Sequence, residues 1–120
     1  MGEKSEIGRR GEAAAVKWLG SNGFAICHTN WRNGRYELDI VAEKEGVIHF
    51  VEVKCRREGG LTAPEDAITP SKFGFLRRAA RAYIAAHGLD CHVQFDLVAV
   101  EYSGDRCRIR YVPEAMQQGW

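Results

Sequence analysis

The sequence lacks the features by which membrane, secreted and disulfide-rich proteins are usually recognised. No apolar run is long enough to span a bilayer, and the N-terminus carries no apolar segment of the kind found in signal peptides. Only four of the 120 residues are cysteines, and they form neither a C-x-x-C pair nor a zinc-finger spacing with histidine. We therefore expect free thiols, no membrane association and a cytoplasmic protein.

Charge of one sign is also scarce. The chain has 17 Lys and Arg against 16 Asp and Glu, a formal net charge of +1 at pH 7, so no general basic field attracts nucleic acid. Any contact with a polyanion must come from local patches. Hydrophobic residues make up 45% and charged residues 28% of the chain, which is typical of a globular protein. At this length we expect one domain, spanning residues 1–120.

The centre of the chain predicts a β-hairpin. Residues 37–42 and 47–54 are rich in β-branched side chains, which is typical of strands. Between them lies a polar break that contains Glu45 and Gly46. A two-residue loop at these positions sets the register, because a loop one residue longer would turn every side chain to the opposite face.

With that register, two carboxylates face each other across the hairpin. Asp39 lies opposite Glu52 and Glu37 lies opposite Lys54, with Cβ atoms about 4.5–5.5 Å apart in each pair. Carboxylates brought together repel each other unless a cation lies between them, so this arrangement favours a divalent metal site. A solvated polar face with cross-strand salt bridges, such as one between Glu37 and Lys54, is the alternative interpretation.

A helix is predicted from Ser5 to Asn22, with Gly23 as its stop signal. Glu12 falls on the stripe of small and apolar residues that this helix turns towards the core, whereas Arg10 looks outward. A carboxylate facing inward needs a partner or an unusual protonation state. An ion pair with an arginine explains Glu12 as well as a functional role does.

Further strands are expected at 24–29, 93–100 and 106–112. The first of them is followed by a link rich in turn residues, 30–35, which carries Trp31 and Arg32. These two residues suit stacking on a base or binding of a phosphate, and equally a tryptophan that anchors a loop to the core. Together with the helices, the order αβββαβ(β) implies an α/β fold with one mixed sheet and helices packed against it.

The second helix is predicted to begin at Pro70, after the N-cap Thr69, and to end at His87. A mobile loop over 58–68 precedes it. Its buried stripe comprises Phe73, Leu76, Ala80, Tyr83, Ile84 and His87. Its basic residues lie largely off that stripe, and they are Lys72, Arg77, Arg78 and Arg81. This basic face suits a phosphate backbone and equally an ordinary solvated surface.

Several segments of the sequence resemble the YraN family of small predicted endonucleases, in the PD-(D/E)xK nuclease superfamily. The segments are G-R-R-G-E at 8–12, N-W-R at 30–32, E-L-D-I-V-A at 37–42, F-V-E-V-K-x-R at 50–56, Lys72 with the helix through Tyr83, and F-D-L-V at 95–98. The resemblance covers nearly the whole chain, and the family is similar to archaeal Holliday-junction resolvases. It implies a restriction-endonuclease-like αβββαβ core. Leu38 and Tyr36 depart from the usual pattern, but neither touches the chemistry.

The residue types indicate how such a site would work. Hard carboxylate oxygens suit Mg²⁺ or Mn²⁺, so Asp39 and Glu52 are the expected direct ligands, with the Val53 carbonyl as a third. Glu12 would be an outer-shell or second-metal carboxylate. The metal would activate a water and polarise the scissile phosphate. Lys54 would orient that water or neutralise developing negative charge.

The resemblance implies a metal-dependent endonuclease that acts on DNA of a branched or damaged form. The candidate catalytic residues are Glu12, Asp39, Glu52 and Lys54. The candidate nucleic-acid contacts are Arg10, Arg32, Arg56, Lys72 and Arg77. A resolvase-like role would require a homodimer that places two sites across a junction. The alternatives are a non-catalytic nucleic-acid-binding or DNA-repair accessory domain, and a structural partner protein with a fortuitous acidic cluster.

Overall fold

The computed structural model describes residues 5–59 and 68–115. The elements in these residues are α1 (Glu6–Ser21), β1 (Ala25–Asn33), β2 (Tyr36–Lys44), β3 (Val47–Arg57), α2 (Pro70–His87), β4 (His92–Ser103) and β5 (Arg106–Val112). The strands form one sheet in the order β1-β2-β3-β4-β5. Neighbours are antiparallel, except that β3 and β4 run parallel. The α/β class, the mixed sheet and the restriction-endonuclease-like order are confirmed, whereas the loop predicted over 58–68 lies almost wholly outside the described residues.

The two helices cover opposite faces of the sheet. Adjacent residues of a strand point to opposite faces, and here they belong to two separate apolar clusters. Ile40 and Val51 pack with Leu19 of α1, while Val41 and Phe50 pack in the cluster that contains the buried face of α2. The sheet is therefore buried on both sides, and its central strands read as nearly continuous apolar runs.

Helix α1 has the boundaries that the sequence predicts. The Ser5 hydroxyl accepts a hydrogen bond from the N–H of Gly8 at 3.1 Å, and Gly23 follows the helix with φ +92°. Gly11 is the point of closest approach to the sheet, because a Cβ at this position would lie 2.0 Å from the Sγ of Cys55 on β3. The absence of a side chain at Gly11 lets the helix pack at this distance.

The central hairpin also has the predicted loop. Lys44 pairs with Val47, so Glu45 and Gly46 form a two-residue turn. Both have positive φ, +53° and +81°, which is the geometry that matches the twist of the flanking strands. The register derived from the sequence is therefore confirmed over the part of the hairpin nearest the turn.

Strand β1 differs from its prediction. The structure continues it to Asn33, where the sequence predicted a link over 30–35, and places the hairpin turn at Gly34, which has φ +62°. A register shift between Ile26 and His28 marks a bulge. Asn and Gly favour turns when a chain is considered alone, but pairing with β2 supplies backbone hydrogen bonds that override this preference. Strand β4 likewise extends beyond its predicted limits, from His92 to Ser103.

Helix α2 begins and ends where the sequence predicts. Thr69 Oγ1 accepts a hydrogen bond from the N–H of Lys72 at 3.1 Å, and Gly88 closes the helix with φ +60°. The buried stripe is confirmed at Phe73, Leu76, Ala80 and Tyr83, with Ile84 half-buried. The prediction for His87 is wrong, because its ring stacks on Tyr83 with centroids 4.1 Å apart but remains exposed at the end of the helix.

Strands β3, β4 and β5 are joined by one buried carboxylate. Asp96 is fully buried and accepts hydrogen bonds from the Tyr111 hydroxyl at 2.7 Å and the N–H of Glu114 at 3.0 Å. Its Oδ2 also lies 2.6 Å from Nδ1 of His49. Burial, followed by the Asp96 carboxylate, raises the pKa of the Tyr111 hydroxyl well above its ordinary value. A carboxylate satisfied in this way has a structural role.

The cysteines agree with the expectation from composition. All four cysteines are free thiols. Within residues 5–59 and 68–115, neither helix combines the length and the apolar character needed to cross a membrane.

Candidate functional site

The β2–β3 ladder ends at the pair Ile40–Val51, and the next residue of each strand is acidic. Beyond this pair, the N–H of Val53 donates a hydrogen bond to Oδ2 of Asp39 at 2.9 Å. Glu52 is 7% exposed, and Asp39 is near enough for its charge to raise the Glu52 pKa. The structure thus brings Asp39 and Glu52 together where the two strands separate.

The surroundings of Glu52 are apolar. The walls of its small pocket are Leu38, Phe50, Val51, Leu76 and Phe95, and Asp39 also lines it. Burial, and after it the negative charge of Asp39, raises the pKa of Glu52 from 4.5 to about 7. The site therefore holds a carboxylate that is readily protonated, and that would be stabilised in its charged form by a cation.

Two lysines approach Glu52 from different elements. The ammonium of Lys54 lies 3.9 Å from Oε2 of Glu52, as the E-x-K spacing on β3 predicts. The ammonium of Lys72, from the first turn of α2, is closer at 3.2 Å. The prediction placed Lys72 with the arginines on the outer face of the helix, so its position at the carboxylate pair was missed.

Glu12 is buried, as predicted, and is tied to β1. It is 6% exposed, and the Nδ2 of Asn30 donates a hydrogen bond to its Oε1 at 2.5 Å. Asn30 is opposite Asp39 across β1 and β2, because the residues on either side of it pair with Ile40 and Leu38. It also has φ +53°, a conformation that is uncommon outside glycine and asparagine. Asn30 therefore belongs to the site through its contact with Glu12. This contact was missed because residues 30–35 were predicted to form a link.

A second cavity connects Glu12 with Lys54. It has a volume of about 290 Å³, and its lining includes Glu12, Val53, Lys54 and Cys55. Lys54 therefore borders both this cavity and the Glu52 carboxylate. Among the described residues, no three His, Cys, Asp or Glu side chains converge closely enough to form a metal centre by themselves. The convergent side-chain carboxylates are the pair Asp39 and Glu52, with Glu12 set apart from them.

Glu37 has a different partner from the one predicted. Its Oε2 lies 3.5 Å from Nη2 of Arg32, with which it pairs across β1 and β2. The predicted pairing of Glu37 with Lys54 is wrong, because the β2–β3 ladder ends at Ile40 before reaching these residues.

The candidate nucleic-acid contacts are distributed over several surfaces. Arg32 is held by Glu37, and Arg56 lies 3.5 Å from Glu101 on β4. Arg10 is exposed, and its guanidinium stacks over the Tyr102 ring, 5.2 Å from the centroid. These three arginines therefore have structural contacts of their own.

The outer face of α2 is basic. Arg77, Arg78 and Arg81 are exposed, and none of them forms an ion pair with a carboxylate in the part of the chain that the structure describes. The Arg77 guanidinium lies over the Phe73 ring, 5.6 Å from its centroid. The helix that brings Lys72 to the site therefore also presents positive charge to solvent.

Sequence comparison places the chain among proteins of similar length. The sequence model described as "Uncharacterised protein family UPF0102" matches residues 11–100. A UPF0102 protein of Bacteroides thetaiotaomicron is 42% identical over 115 residues, which cover 96% of this chain and 95% of the relative. A UPF0102 protein of Nitratidesulfovibrio vulgaris is 44% identical over 109 residues, 90% of this chain and 81% of the relative. The chain belongs to the uncharacterised protein family UPF0102, the YraN family that its motifs resemble.

Proposed function

We propose that this protein is a metal-dependent endonuclease that hydrolyses phosphodiester bonds of DNA. The observation that carries the proposal is the pair of Asp39 and Glu52. One of these carboxylates is buried and has a pKa raised to about 7 by burial and by the other, and a lysine follows it two residues later on the same strand. Such a pair is unfavourable without a cation, because like charges repel most strongly where water is excluded.

The donor set fits a hard divalent cation. Mg²⁺ and Mn²⁺ prefer carboxylate and carbonyl oxygens, and Mg²⁺ is usually bound by one or two carboxylates while it keeps several waters. Asp39 and Glu52 would hold the ion, with the Val53 carbonyl as the third protein ligand. When bound, the ion supplies an activated water and polarises the phosphate that is attacked.

The other residues supply charge and orientation. The Lys54 ammonium, 3.9 Å from Glu52, offsets the negative charge that develops on the phosphate or orients the attacking water. Glu12, held by Asn30 and bordering the same cavity as Lys54, acts as an outer carboxylate that orients a water.

DNA is the proposed substrate because of the family resemblance, and branched or damaged DNA because that family is similar to junction resolvases. The positive charge on α2 is consistent with a polyanionic substrate, because Arg77, Arg78 and Arg81 are exposed and suit contacts with phosphates. Phosphate contacts position a duplex without reading its sequence, so we expect cleavage to depend on the shape of the DNA.

A second function is favoured by two observations. Glu52 is already paired with Lys72 at 3.2 Å, and no three potential ligand side chains converge in residues 5–59 and 68–115. A domain that binds nucleic acid as a repair accessory, without turnover, would tolerate this arrangement. It predicts DNA binding that needs neither Mg²⁺ nor Lys54.

Strand cleavage separates the two functions. Single-stranded, duplex, flapped and four-way-junction DNA are incubated with the protein in Mg²⁺, Mn²⁺ or EDTA. Lys54→Ala is compared with Lys17→Ala, which removes an exposed lysine of α1. We expect metal-dependent cleavage that Lys54→Ala abolishes and Lys17→Ala retains. Cleavage that survives Lys54→Ala would indicate a contaminant, and binding without cleavage on every substrate would favour the accessory domain.

A further inference from the structure

Of the two lysines that approach the buried Glu52 carboxylate, the closer one belongs to helix α2 and not to the E-x-K motif. Lys72 Nζ lies 3.2 Å from Oε2 of Glu52, against 3.9 Å for Lys54 Nζ. Lys72 lies in the first turn of α2, and its backbone N–H is held by the side chain of the N-cap residue Thr69. Its side chain is 38% exposed, and its ammonium reaches the buried Glu52 carboxylate.

This contact balances the charge of the carboxylate pair. Burial and Asp39 both disfavour the charged form of Glu52, and Lys72 opposes them more strongly than Lys54 does, through its charge and its hydrogen bond. Two lysines from different elements therefore stabilise the charged form of Glu52, and Lys72 has the larger effect.

A divalent ion and the Lys72 ammonium would compete for the same oxygen of Glu52. A carboxylate oxygen that ligates a divalent ion is drawn into its coordination shell, and an ammonium 3.2 Å away is then repelled by the double charge. Lys72 has a flexible four-carbon stem with an exposed fraction, and can turn away from Glu52 without any change in the backbone. The anion available to it at that moment is the phosphate backbone that the site binds.

We propose that Lys72 is the internal counterion of Glu52 in the metal-free protein, and that occupation of Glu52 by a divalent ion transfers the Lys72 ammonium to a phosphate oxygen of the bound DNA. This inference rests on the proposed metal-dependent function. Lys72 thereby opposes metal binding in the absence of DNA and assists DNA binding in its presence. Metal and DNA bind cooperatively as a result, because each favours the same position of one side chain.

The test measures metal affinity apart from catalysis. Mn²⁺ alone is titrated into the protein at a pH about one unit above the Glu52 pKa, and the free ion is followed by its EPR signal. We expect Lys72→Met to bind Mn²⁺ about three- to tenfold more tightly than wild type, since the competing cation is gone. Lys72→Arg keeps the charge and is expected to stay within about twofold of wild type. Lys17→Met, on the exposed face of α1, is the matched control and should change nothing.

DNA binding supplies the second readout. In Ca²⁺, used as a probe that resembles Mg²⁺ in charge, Lys72→Met should bind a four-way junction about three- to tenfold more weakly than wild type, although it binds the metal more tightly. Opposite changes in the two affinities are not expected from a lysine that only stabilises the fold. In the wild type, the Nζ resonance of Lys72 should shift when Mg²⁺ is added, which tests the movement even if Lys72→Met fails to fold.

Two failures are distinguishable. If wild-type protein binds no Mn²⁺, the proposed function itself fails and the inference fails with it. If wild type binds Mn²⁺ but Lys72→Met binds it equally or more weakly, the counterion role alone is overturned. If Lys72→Met binds metal more tightly and DNA as well as wild type, the transfer to phosphate is overturned.

Discussion

The carboxylate of Asp39 takes the place of a backbone carbonyl. Its Oδ2 accepts a hydrogen bond from the N–H of Val53 at 2.9 Å, immediately beyond the last pair of the β2–β3 ladder. One residue thus satisfies the backbone of the neighbouring strand and places negative charge beside Glu52. The two tasks are separable by substitution, because an amide oxygen can accept the same hydrogen bond without the charge.

We expect Asp39→Asn to fold with wild-type stability or better, because it keeps an acceptor for Val53 and removes a charge next to Glu52. Asp39→Ala should lose about 1–3 kcal/mol, since a partly buried N–H loses its partner. Both variants should lose cleavage. Urea unfolding and a cleavage assay measure the two effects, and an active Asp39→Asn variant would exclude Asp39 as a metal ligand.

The stability of the protein should fall as the pH rises through the titration of Glu52. The folded-state pKa of about 7 lies above the ordinary value of 4.5, so the folded state binds this proton more tightly than the unfolded state. The associated stability is complete below about pH 4.5 and is lost as the pH rises through 7. In EDTA, Glu52→Gln should be more stable than wild type by about 3 kcal/mol at pH 8, and similar to it at pH 4.5.

The groups that act on Glu52 in this window are Asp39, Lys72 and Lys54. Glu43→Gln, which changes an exposed carboxylate of β2 and leaves Glu52 in place, is the control and should keep the pH dependence of the wild type. A difference between Glu52→Gln and wild type that stays constant from pH 4.5 to pH 8 would contradict the raised pKa.

Asn30 should couple energetically to Glu12. Glycine at position 30 tolerates φ +53° but removes the amide that donates to Glu12, so Asn30→Gly isolates the hydrogen bond. We expect it to lose about 1–2 kcal/mol, and Asn30→Ala to lose about 1 kcal/mol more through backbone strain. A double-mutant cycle with Glu12→Ala measures the coupling. Additive effects would show that Asn30 does not position Glu12.

Two glycines of α1 should respond to alanine in opposite directions. A Cβ at Gly20 meets open space, whereas one at Gly11 would lie 2.0 Å from Cys55 Sγ. Gly20→Ala should stabilise the protein by about 0.5–1 kcal/mol through helix propensity. Gly11→Ala should destabilise it by about 1–3 kcal/mol, and adding Cys55→Ala should restore part of the loss. Thermal unfolding of the wild type and these three variants suffices, and a stabilising Gly11→Ala would contradict the close packing of α1 on β3.

The basic face of α2 should determine the salt dependence of DNA binding. If Arg77, Arg78 and Arg81 each contact a phosphate, their joint replacement by alanine lowers the slope of log K against log salt by about 2–3. Fluorescence anisotropy at several salt concentrations measures this slope. Arg106→Ala, which changes an exposed residue of the edge strand β5, should leave the slope unchanged. An unaltered slope in the triple variant would assign the arginines to an ordinary solvated surface.

Much of the fold could be predicted because its signals are local. Glu45 and Gly46 fix the central turn, while Thr69 and Gly88 bound α2 through a side-chain cap and a left-handed residue. The extension of β1 to Asn33 could not be predicted in this way. Its residues favour a turn in isolation, and only the neighbouring strand supplies the hydrogen bonds that keep them extended.

In the candidate site, too, the contacts set by local sequence could be predicted and those set by packing between elements could not. The proximity of Asp39 and Glu52 follows from hairpin register, which the sequence encodes. The contact of Lys72 with Glu52 depends on how α2 packs over the end of β3. The spacing of residues along the sequence does not determine that packing. The same holds for Asn30 and Glu12, which meet because α1 and β1 pack together.

The sheet order also has a consequence for folding kinetics. Each antiparallel pair is closed by a two-residue turn, at 34–35, 45–46 and 104–105, and hairpins of this kind form within about 1–10 μs. The parallel pair β3–β4 instead requires residues 58–91 to close a long crossover, which costs more entropy and slows folding. We expect this closure to limit the folding rate. The hairpin that carries Asp39, Glu52 and Lys54 would then form before α2 brings Lys72 to Glu52, so the shorter of the two lysine contacts forms only late in folding.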